Sequence, residues 1–221
     1  MQLDLESFRE GAYILPIVLE KHAGESIDFA KGVSIMRDNV VLSQNEIQEI
    51  VKRIGKEITE AVKNDPKIPV VMGVMRGAMF FFADVLRNID CPVYMDTVKT
   101  SSWEGTSSTG KIVLEQPFKA DIKDRTVILV EDVVDTGITM DFLKKYLENE
   151  FAPKRVLIAS LFNKLPDRKV KVDVDFVGKE LTDSLFLMGY GLDYYELDRH
   201  VPFVYCASKE DIERMEEDRK H

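Results

Sequence analysis

The chain has 221 residues, 45% of them hydrophobic, and a formal net charge of −9 at pH 7. This length and composition allow one substantial hydrophobic core with a small appended lobe, so we expect one catalytic domain. The acidic balance argues against broad contact with nucleic acid, because such binding depends on neutralising the phosphate backbone.

The N-terminal segment and the two cysteines bear on location. The apolar stretch Ala12–Leu19 contains a proline and is too short for a signal peptide or a membrane span. Cys91 and Cys206 lie far apart in the sequence and show neither a CxxC pattern nor metal-ligand spacing. Unpaired thiols of this kind fit the reducing cytosol. We therefore expect a soluble cytoplasmic protein that does not contact membranes.

The first clear element is a helix that begins after Ser43. Ser43 and Glu46 form the pattern of a capping box, and apolar residues then recur at helical spacing as far as Ala61. Residues 1–42 have mixed polarity and no clear period, so we interpret them as an extension packed on the core or on a partner subunit. We expect the main domain to span residues 43–206 and the charged segment 207–221 to form a solvent-facing helix.

Strand-like and helix-like segments then alternate along the chain. The predicted strands cover residues 68–74, 92–98, 127–130, 156–161, 172–177 and 185–189, and the predicted helices cover residues 77–88 and 139–150. This alternation predicts an α/β fold with a largely parallel sheet. Binding sites in such sheets lie at the carboxyl ends of the strands.

The segment Val127–Thr139 reads Val-Ile-Leu-Val-Glu-Asp-Val-Val-Asp-Thr-Gly-Ile-Thr. Its apolar, β-branched start predicts a buried parallel strand that leads into a loop. The backbone amides of Thr136, Gly137 and Ile138 can surround a phosphate at the start of the following helix, together with the hydroxyls of Thr136 and Thr139. The segment therefore predicts an anion site.

Three acids flank this predicted anion site. Glu131, Asp132 and Asp135 would repel a phosphate unless they contact sugar hydroxyls, a divalent cation or a developing positive charge. The combination is therefore typical of a phosphorylated sugar that binds together with a metal ion.

This thirteen-residue pattern resembles the binding motif of the type I phosphoribosyltransferases, the enzymes that use 5-phosphoribosyl diphosphate. The resemblance covers residues 45–206. It implies a mostly parallel, twisted sheet flanked by helices, with a small hood lobe that binds the base.

A second motif, Gly73–Ala78, ends a predicted strand and opens a helix. It resembles the diphosphate-binding loop of the hypoxanthine-guanine members of the family, which usually reads Leu-Lys-Gly and often contains a cis peptide bond. Met75, Arg76 and Gly77 stand at those positions. Arginine keeps the positive charge, although arginine and lysine bind phosphate differently. By the same resemblance, Arg199 binds the diphosphate.

The segment Lys99–Gln116 is rich in Ser, Thr and Gly and is longer than ordinary loops. Its residues Ser101, Ser102 and Trp103 resemble the Ser-Ser-Tyr of the family's flexible catalytic loop, so we expect a lid that excludes water. The alternative is a solvated hairpin with one packed tryptophan. Gly105–Lys111 approaches a phosphate-binding P-loop pattern, but residues 112–117 read as a strand instead of the required helix.

The resemblance places base recognition in the C-terminal third of the chain. Lys164 would donate to O6 of a purine, and Phe186 would stack on the base. Backbone groups of Leu187 would contact the base edge. Asp193 would approach both the amine edge of guanine and a Mg²⁺ ion bound to the diphosphate.

Together these matches imply a Mg²⁺-dependent enzyme of purine salvage, which joins hypoxanthine or guanine to phosphoribosyl diphosphate and releases IMP or GMP and diphosphate. Asp135 would be the general base at N7. Glu131 and Asp132 would hold the ribose hydroxyls directly or through the metal, for which Asp193 is a further ligand. The resemblance also implies a homodimer or homotetramer.

Two alternatives stay open. The first is a phosphoribosyltransferase that prefers xanthine or a pyrimidine, although Lys164 with Phe186 favours a 6-oxopurine. The second is a regulator that senses phosphoribosyl diphosphate and binds RNA on the same fold. That function would need a basic face, whereas the lysines and arginines here are interspersed with acids.

Overall fold

The computed structural model describes residues 39–102 and 112–218. In chain order the elements are β1 (Val40–Leu42), α1 (Gln44–Val62), β2 (Val70–Met75), α2 (Met79–Arg87), β3 (Tyr94–Ser102), β4 (Ile112–Gln116), β5 (Thr126–Val134), α3 (Ile138–Phe151), β6 (Arg155–Lys164), β7 (Phe176–Leu181), β8 (Leu187–Met188), β9 (Val204–Cys206) and α4 (Lys209–Asp218). Among these residues, no helix is long and apolar enough to cross a membrane.

The first helix confirms the capping-box prediction. The Ser43 backbone amide donates to Glu46 Oε2 at 2.8 Å, and the Glu46 amide donates to Ser43 Oγ at 3.3 Å. These bonds satisfy amides that have no partner within the helix. The apolar face of α1 is buried and carries Ile47, Val51, Ile54, Ile58 and Val62. Burial of this face attaches the helix to the sheet.

A six-stranded sheet in the order β4-β3-β2-β5-β6-β7 forms the centre of the fold. Strands β3, β2, β5, β6 and β7 run parallel to their neighbours, and β4 is antiparallel to β3. The chain moves outward in opposite directions from β2 and from β5, so the strand order reverses between these two neighbours. Ligands bind at such switch points, outside the carboxyl ends of the strands.

The predicted α/β fold with a mostly parallel sheet is confirmed, but several strand limits were wrong. The strand predicted over residues 127–130 continues to Val134, so Glu131 and Asp132 belong to β5. The strand predicted over 172–177 instead begins at Phe176, and that predicted over 185–189 contains only Leu187–Met188. The segment predicted as a long loop over residues 99–116 begins and ends as the paired strands β3 and β4.

A second sheet, in the order β1-β9-β8, contains short antiparallel strands, of which the sequence indicated β8 but not β1 or β9. Val40 pairs with Tyr205, so the chain just before α1 contacts the end of the domain. The domain limits after residues 42 and 206 stay a prediction. The C-terminal helix is confirmed over Lys209–Asp218, but it is not entirely solvent-facing, because Met215 is buried in a cluster with Met188 and Tyr205.

Helices α1 and α2 meet at Gly55, and this contact gives a test of the packing. A Cβ atom on Gly55 would lie 2.5 Å from the backbone oxygen of Asn88. Alanine is the better helix former by about 1 kcal/mol, but overpacking costs about 1–3 kcal/mol. We therefore expect Gly55→Ala to lower the free energy of unfolding in urea by roughly 1 kcal/mol.

The exposed neighbour Lys56 offers a control for this substitution. Lys56→Ala lies on the same helix and should change the free energy of unfolding by no more than about 0.5 kcal/mol. A Gly55→Ala protein more stable than the wild type would show that the two helices do not pack as closely as described.

Candidate active site

A cavity of about 340 Å³ opens at the carboxyl ends of β2 and β5. The predicted site residues that line it are Met75, Gly77, Glu131, Asp132, Asp135, Thr136, Gly137, Thr139, Asp193 and Arg199. The structure thus brings together residues from both motifs and from the C-terminal third of the chain. Thr100 and Met140 also line the cavity, and the sequence did not indicate either of them.

Other predicted site residues lie outside this lining. Arg76 and Ile138 are chain neighbours of lining residues, and Lys164 pairs with Asp135, which lines the cavity. Phe186 and Leu187 are not among the lining residues. Within the predicted lid, Ser101 and Ser102 belong to β3, but their side chains are not described. Trp103 and the P-loop-like segment 105–111 lie outside the described residues.

The turn between β5 and α3 has the geometry that the phosphate-site prediction requires. Gly137 precedes α3 with a φ of 81°, in the left-handed region that glycine adopts without strain. A Cβ atom there would lie 2.5 Å from the backbone oxygen of Val170. The amides at the start of α3 form the positive end of the helix dipole and can bind an anion.

Arg168 donates to the backbone oxygens of this turn, and the sequence did not indicate it. Its Nε donates to the backbone oxygen of Asp135 at 3.0 Å, and its Nη2 donates to that of Val134 at 3.1 Å. Its Nη1 donates to the Val172 oxygen at 3.1 Å. A guanidinium with several fixed donors suits this set of carbonyls. The only signal in the sequence was a cation four residues after Lys164.

Glu131 and Asp132 are adjacent acids at the carboxyl end of β5. Burial, and then the charge of Asp132, raises the pKa of Glu131 well above its usual value. Asp132 packs directly on Gly77 of the predicted diphosphate loop, Met75–Gly77, since a Cβ atom on Gly77 would overlap Asp132 Oδ2. The preceding Met75–Arg76 peptide bond is cis, as the family resemblance implied. The predicted diphosphate loop therefore lies in contact with Asp132 of β5.

Lys164, the last residue of β6, forms an ion pair with the proposed general base. Its Nζ lies 3.4 Å from Asp135 Oδ2 and 2.9 Å from Asp167 Oδ2. Burial disfavours the charged ammonium, but the bonds and charges of Asp167 and Asp135 outweigh this effect and raise the pKa of Lys164. Ser184 Oγ donates to Asp167 Oδ2 at 2.8 Å, which holds that carboxylate in place.

Asp135 has one oxygen in an unusual position. Within the described part of the chain, its buried Oδ1 atom accepts no hydrogen bond. A buried carboxylate oxygen without a donor is costly in the absence of a ligand. Because this atom has almost no accessible surface while the Asp135 side chain is 46% exposed, a molecule bound in the cavity would meet the other atoms of the side chain unless the carboxylate turned.

Arg199, which lies between β8 and β9, lines the cavity. Its Nη2 is 2.8 Å from Asp193 Oδ1, and its Nη1 donates to the Gly191 oxygen at 2.6 Å. Glu196, which the sequence analysis also missed, contacts both Arg199 and Arg76. The pattern of an acid three residues before Arg199 could have indicated it, since residues three apart can meet in a turn.

The predicted base-binding side has an aromatic surface available to a ligand. The Phe186 side chain is 44% exposed, and its ring meets Tyr194 edge to face at 5.5 Å between centroids. Leu187 is buried in β8. The exposed part of the Phe186 ring can contact a planar ligand.

The donors around the cavity fit Mg²⁺ that binds together with a ligand. Glu131, Asp132 and Asp193 contribute carboxylates to the lining. Among the described residues, no group of three or more His, Cys, Asp or Glu side chains is arranged to hold an ion by itself. Magnesium ordinarily binds one or two carboxylates and completes its octahedron with water and phosphate oxygens.

Comparison with known proteins agrees with this geometry. The family model for the phosphoribosyl transferase domain matches residues 42–195. The hypoxanthine-guanine phosphoribosyltransferase of Staphylococcus epidermidis is 36% identical over 167 residues, which cover 75% of this chain and 91% of that protein. The protein of the same name from Bacillus subtilis is 34% identical over 168 residues, covering 76% of this chain and 91% of the other.

Solved structures give the same result. A hypoxanthine phosphoribosyltransferase from Staphylococcus aureus is similar with a TM-score of 0.72 and 30% identity, over 78% of this chain and 92% of that one. A hypoxanthine-guanine phosphoribosyltransferase from Bacillus anthracis is similar with a TM-score of 0.72 and 32% identity, over 78% of this chain and all of the other.

The turn before α3 gives a test of the phosphate site. Gly137→Ala would force a side chain into a left-handed backbone conformation and against Val170, at a cost of about 1–3 kcal/mol. We expect the affinity for ribose 5-phosphate, measured by calorimetry, to fall by about tenfold or more because the amides are displaced.

Gly178→Ala provides the matched control. A Cβ atom on Gly178 would overlap the backbone oxygen of Leu161, away from the cavity. This variant should lose stability and keep its affinity for ribose 5-phosphate. Equal affinities in the folded Gly137→Ala and wild-type proteins would remove the turn from the binding site.

Proposed function

This chain belongs to the phosphoribosyltransferase family, and we propose that it transfers the 5-phosphoribosyl group of phosphoribosyl diphosphate to N9 of hypoxanthine or guanine. The products are IMP or GMP and diphosphate. The observation that carries this proposal is the Lys164–Asp135 ion pair at the edge of a cavity lined by a phosphate-type turn. The relatives named hypoxanthine-guanine phosphoribosyltransferase support it.

The ion pair matches the atoms on one edge of a 6-oxopurine. O6 and N7 are neighbours on that edge, and in the N7–H tautomer O6 accepts a hydrogen bond while N7–H donates one. Lys164 is a donor only and ionised Asp135 is an acceptor only. Their 3.4 Å separation therefore offers both partners to adjacent atoms of the base. Adenine would instead direct its amine at the ammonium.

Asp135 is the proposed general base in this arrangement. It accepts the proton from N7, which makes N9 the better nucleophile toward C1′ of the ribose. The Asp135 side chain is 46% exposed and its Oδ2 lies 3.4 Å from Lys164 Nζ, so we propose that Oδ2 accepts from this N–H group. A carboxylate in hydrogen-bond reach of the proton it takes is what general base catalysis requires.

The acids at the end of β5 are proposed to act on the sugar. Asp132 and Glu131 lie beside the turn that would hold the 5-phosphate, so they are placed to contact the ribose hydroxyls. Their negative charge would stabilise the positive charge that develops at C1′ as the diphosphate leaves. Burial and the charge of Asp132 raise the pKa of Glu131, and a developing positive charge at C1′ or a bound cation would oppose this rise.

We propose that Arg199, Arg76 and the amides of the Met75–Gly77 loop bind the leaving diphosphate. Bound Mg²⁺ would neutralise part of the diphosphate charge, and Asp193, Glu131 and Asp132 are the residues proposed to hold it. Residues 103–111, with Trp103, are proposed to close over the reacting groups and exclude water.

The protein is further proposed to act in the cytoplasm as a homodimer or homotetramer. Cys91 and Cys206 are free thiols, which suits a reducing compartment. Tyr94 and Met95 at the start of β3 are 50% and 65% exposed. Successive side chains of a strand point to opposite faces, so each of these two exposed apolar groups is a separate candidate contact with a second subunit.

Asp135→Asn tests the proposed general base. The substitution keeps the shape of the side chain but removes its capacity to take a proton from N7. We expect turnover with guanine to fall by roughly 10²- to 10⁴-fold, with little change in affinity for phosphoribosyl diphosphate. Steady-state formation of GMP measures both quantities.

Asp141→Asn is the control for this experiment. Asp141 lies in the first turn of α3, where it pairs with Lys145 at 2.8 Å instead of lining the cavity. Its substitution should leave turnover unchanged. Turnover of Asp135→Asn within about twofold of the wild type would exclude Asp135 as the base.

Lys164→Met tests the basis of base selection. It removes the donor to O6, so kcat/KM for guanine and hypoxanthine should fall by about tenfold or more, while that for adenine should not. Lys179→Met, which removes a half-buried lysine bonded to the Val41 oxygen, is the control. An equal fall for guanine and adenine would mean that Lys164 has a structural role only.

A further inference from the structure

Glu196 joins the two arginines that we propose bind diphosphate. Its Oε1 lies 2.6 Å from Arg76 Nη2, and its Oε2 lies 3.0 Å from Arg199 Nη2. Oε2 also accepts from Arg199 Nε at 3.1 Å. One carboxylate therefore engages Nη2 of Arg76 and both Nε and Nη2 of Arg199, and guanidinium donors of this kind are the ones that bind phosphate oxygens.

The charges of this cluster cancel in the protein without ligand. Arg199 also pairs with Asp193 at 2.8 Å, so two arginines face two carboxylates. A diphosphate group carries several negative charges and binds where cations are in excess. It must therefore displace at least one carboxylate or bring its own cation.

We propose that Glu196 is an internal competitor for the diphosphate group. It holds Arg76 and Arg199 before phosphoribosyl diphosphate binds, and it returns to them when diphosphate leaves. The role rests on the proposed function, because it assigns the two arginines to diphosphate. Its consequence is a limit on how tightly substrate and product diphosphate bind, which favours product release.

The backbone holds Glu196 in this position through a defined turn. Glu196 and Tyr195 have φ values of 70° and 50°, in the left-handed region that few residues with side chains adopt. The Glu196 amide donates to Asp193 Oδ2 at 2.8 Å. Asp193 and Arg199 thus anchor the turn, and a ligand that engages either one also loosens Glu196.

The exposure of the side chains separates this role from a structural one. Arg76 and Glu196 are 58% and 54% exposed. Ion pairs this exposed contribute little to stability, so their loss should not unfold the turn. Their loss does release donors of Arg76 and Arg199 for a multiply charged ligand, while Arg199 keeps its pair with Asp193. A structural clamp would behave oppositely, since without it the arginines would bind diphosphate less well.

Glu196→Gln is the decisive substitution. Glutamine keeps the length and the β-carbon of the side chain, so the left-handed backbone meets the same constraint. We expect inorganic diphosphate and phosphoribosyl diphosphate, each titrated with Mg²⁺ in a calorimeter, to bind roughly three- to tenfold more tightly. Diphosphate should become a stronger product inhibitor by a similar factor.

Glu49→Gln is the matched control. Glu49 is exposed and pairs with Lys52 at 2.9 Å on α1, so the substitution changes the net charge equally without touching the cluster. It should leave both affinities unchanged. In an Arg76→Met background the effect of Glu196→Gln should shrink, because one of the two competing ion pairs is already absent.

The possible outcomes distinguish the two proposals. If the wild type forms GMP and the folded Glu196→Gln protein binds diphosphate no more tightly, the competitor role is overturned and the proposed function stands. Weaker binding would identify a structural clamp instead. If the wild type neither binds phosphoribosyl diphosphate nor forms nucleotide, the proposed function fails, and the role of Glu196 fails with it.

Discussion

Electrostatic repulsion inside one cavity is the constraint on which the other features of this site depend. Glu131, Asp132, Asp135 and Asp193 all line the space where phosphate groups are proposed to bind. Charges buried together are unfavourable unless they are paired or neutralised. Three of the four are accommodated in different ways: Asp135 pairs with Lys164, Asp193 pairs with Arg199, and burial beside Asp132 raises the pKa of Glu131.

The fold turns this crowding into a reaction site because it brings distant segments to one edge of the sheet. Strands β2 and β5 are parallel neighbours, so the predicted diphosphate loop and the acids Glu131 and Asp132 lie together at their carboxyl ends. The segment after β8 meets the predicted diphosphate loop at a close backbone contact. Gly191 has a φ of 103°, and a Cβ atom there would overlap the backbone oxygen of Gly77. Glycine at position 191 therefore allows this segment to approach Gly77 so closely.

Local pattern made much of the fold and the site predictable. The capping box at Ser43 and the apolar period of α1 are properties of neighbouring residues, and so is the strand-turn-helix sequence of Val127–Thr139. The three-residue strands β1 and β9 are too short for a period to indicate them, and the two residues of β8 are too few for its limits to be predicted. Partners far apart in the chain also left no local signal, which is why the contacts of Arg168 with the turn and of Glu196 with Arg76 were missed.

The account is tested most directly by the release of diphosphate from phosphoribosyl diphosphate, measured with hypoxanthine, guanine, xanthine, adenine and uracil in separate reactions. Each base is assayed with Mg²⁺ and with a chelator. The pairing of Lys164 with Asp135 predicts release with hypoxanthine and guanine, and rates lower by about a hundredfold or more with adenine and uracil. The excess of carboxylates predicts that the chelator slows the reaction strongly. Preference for adenine or uracil, or an unchanged rate in the chelator, would contradict the account.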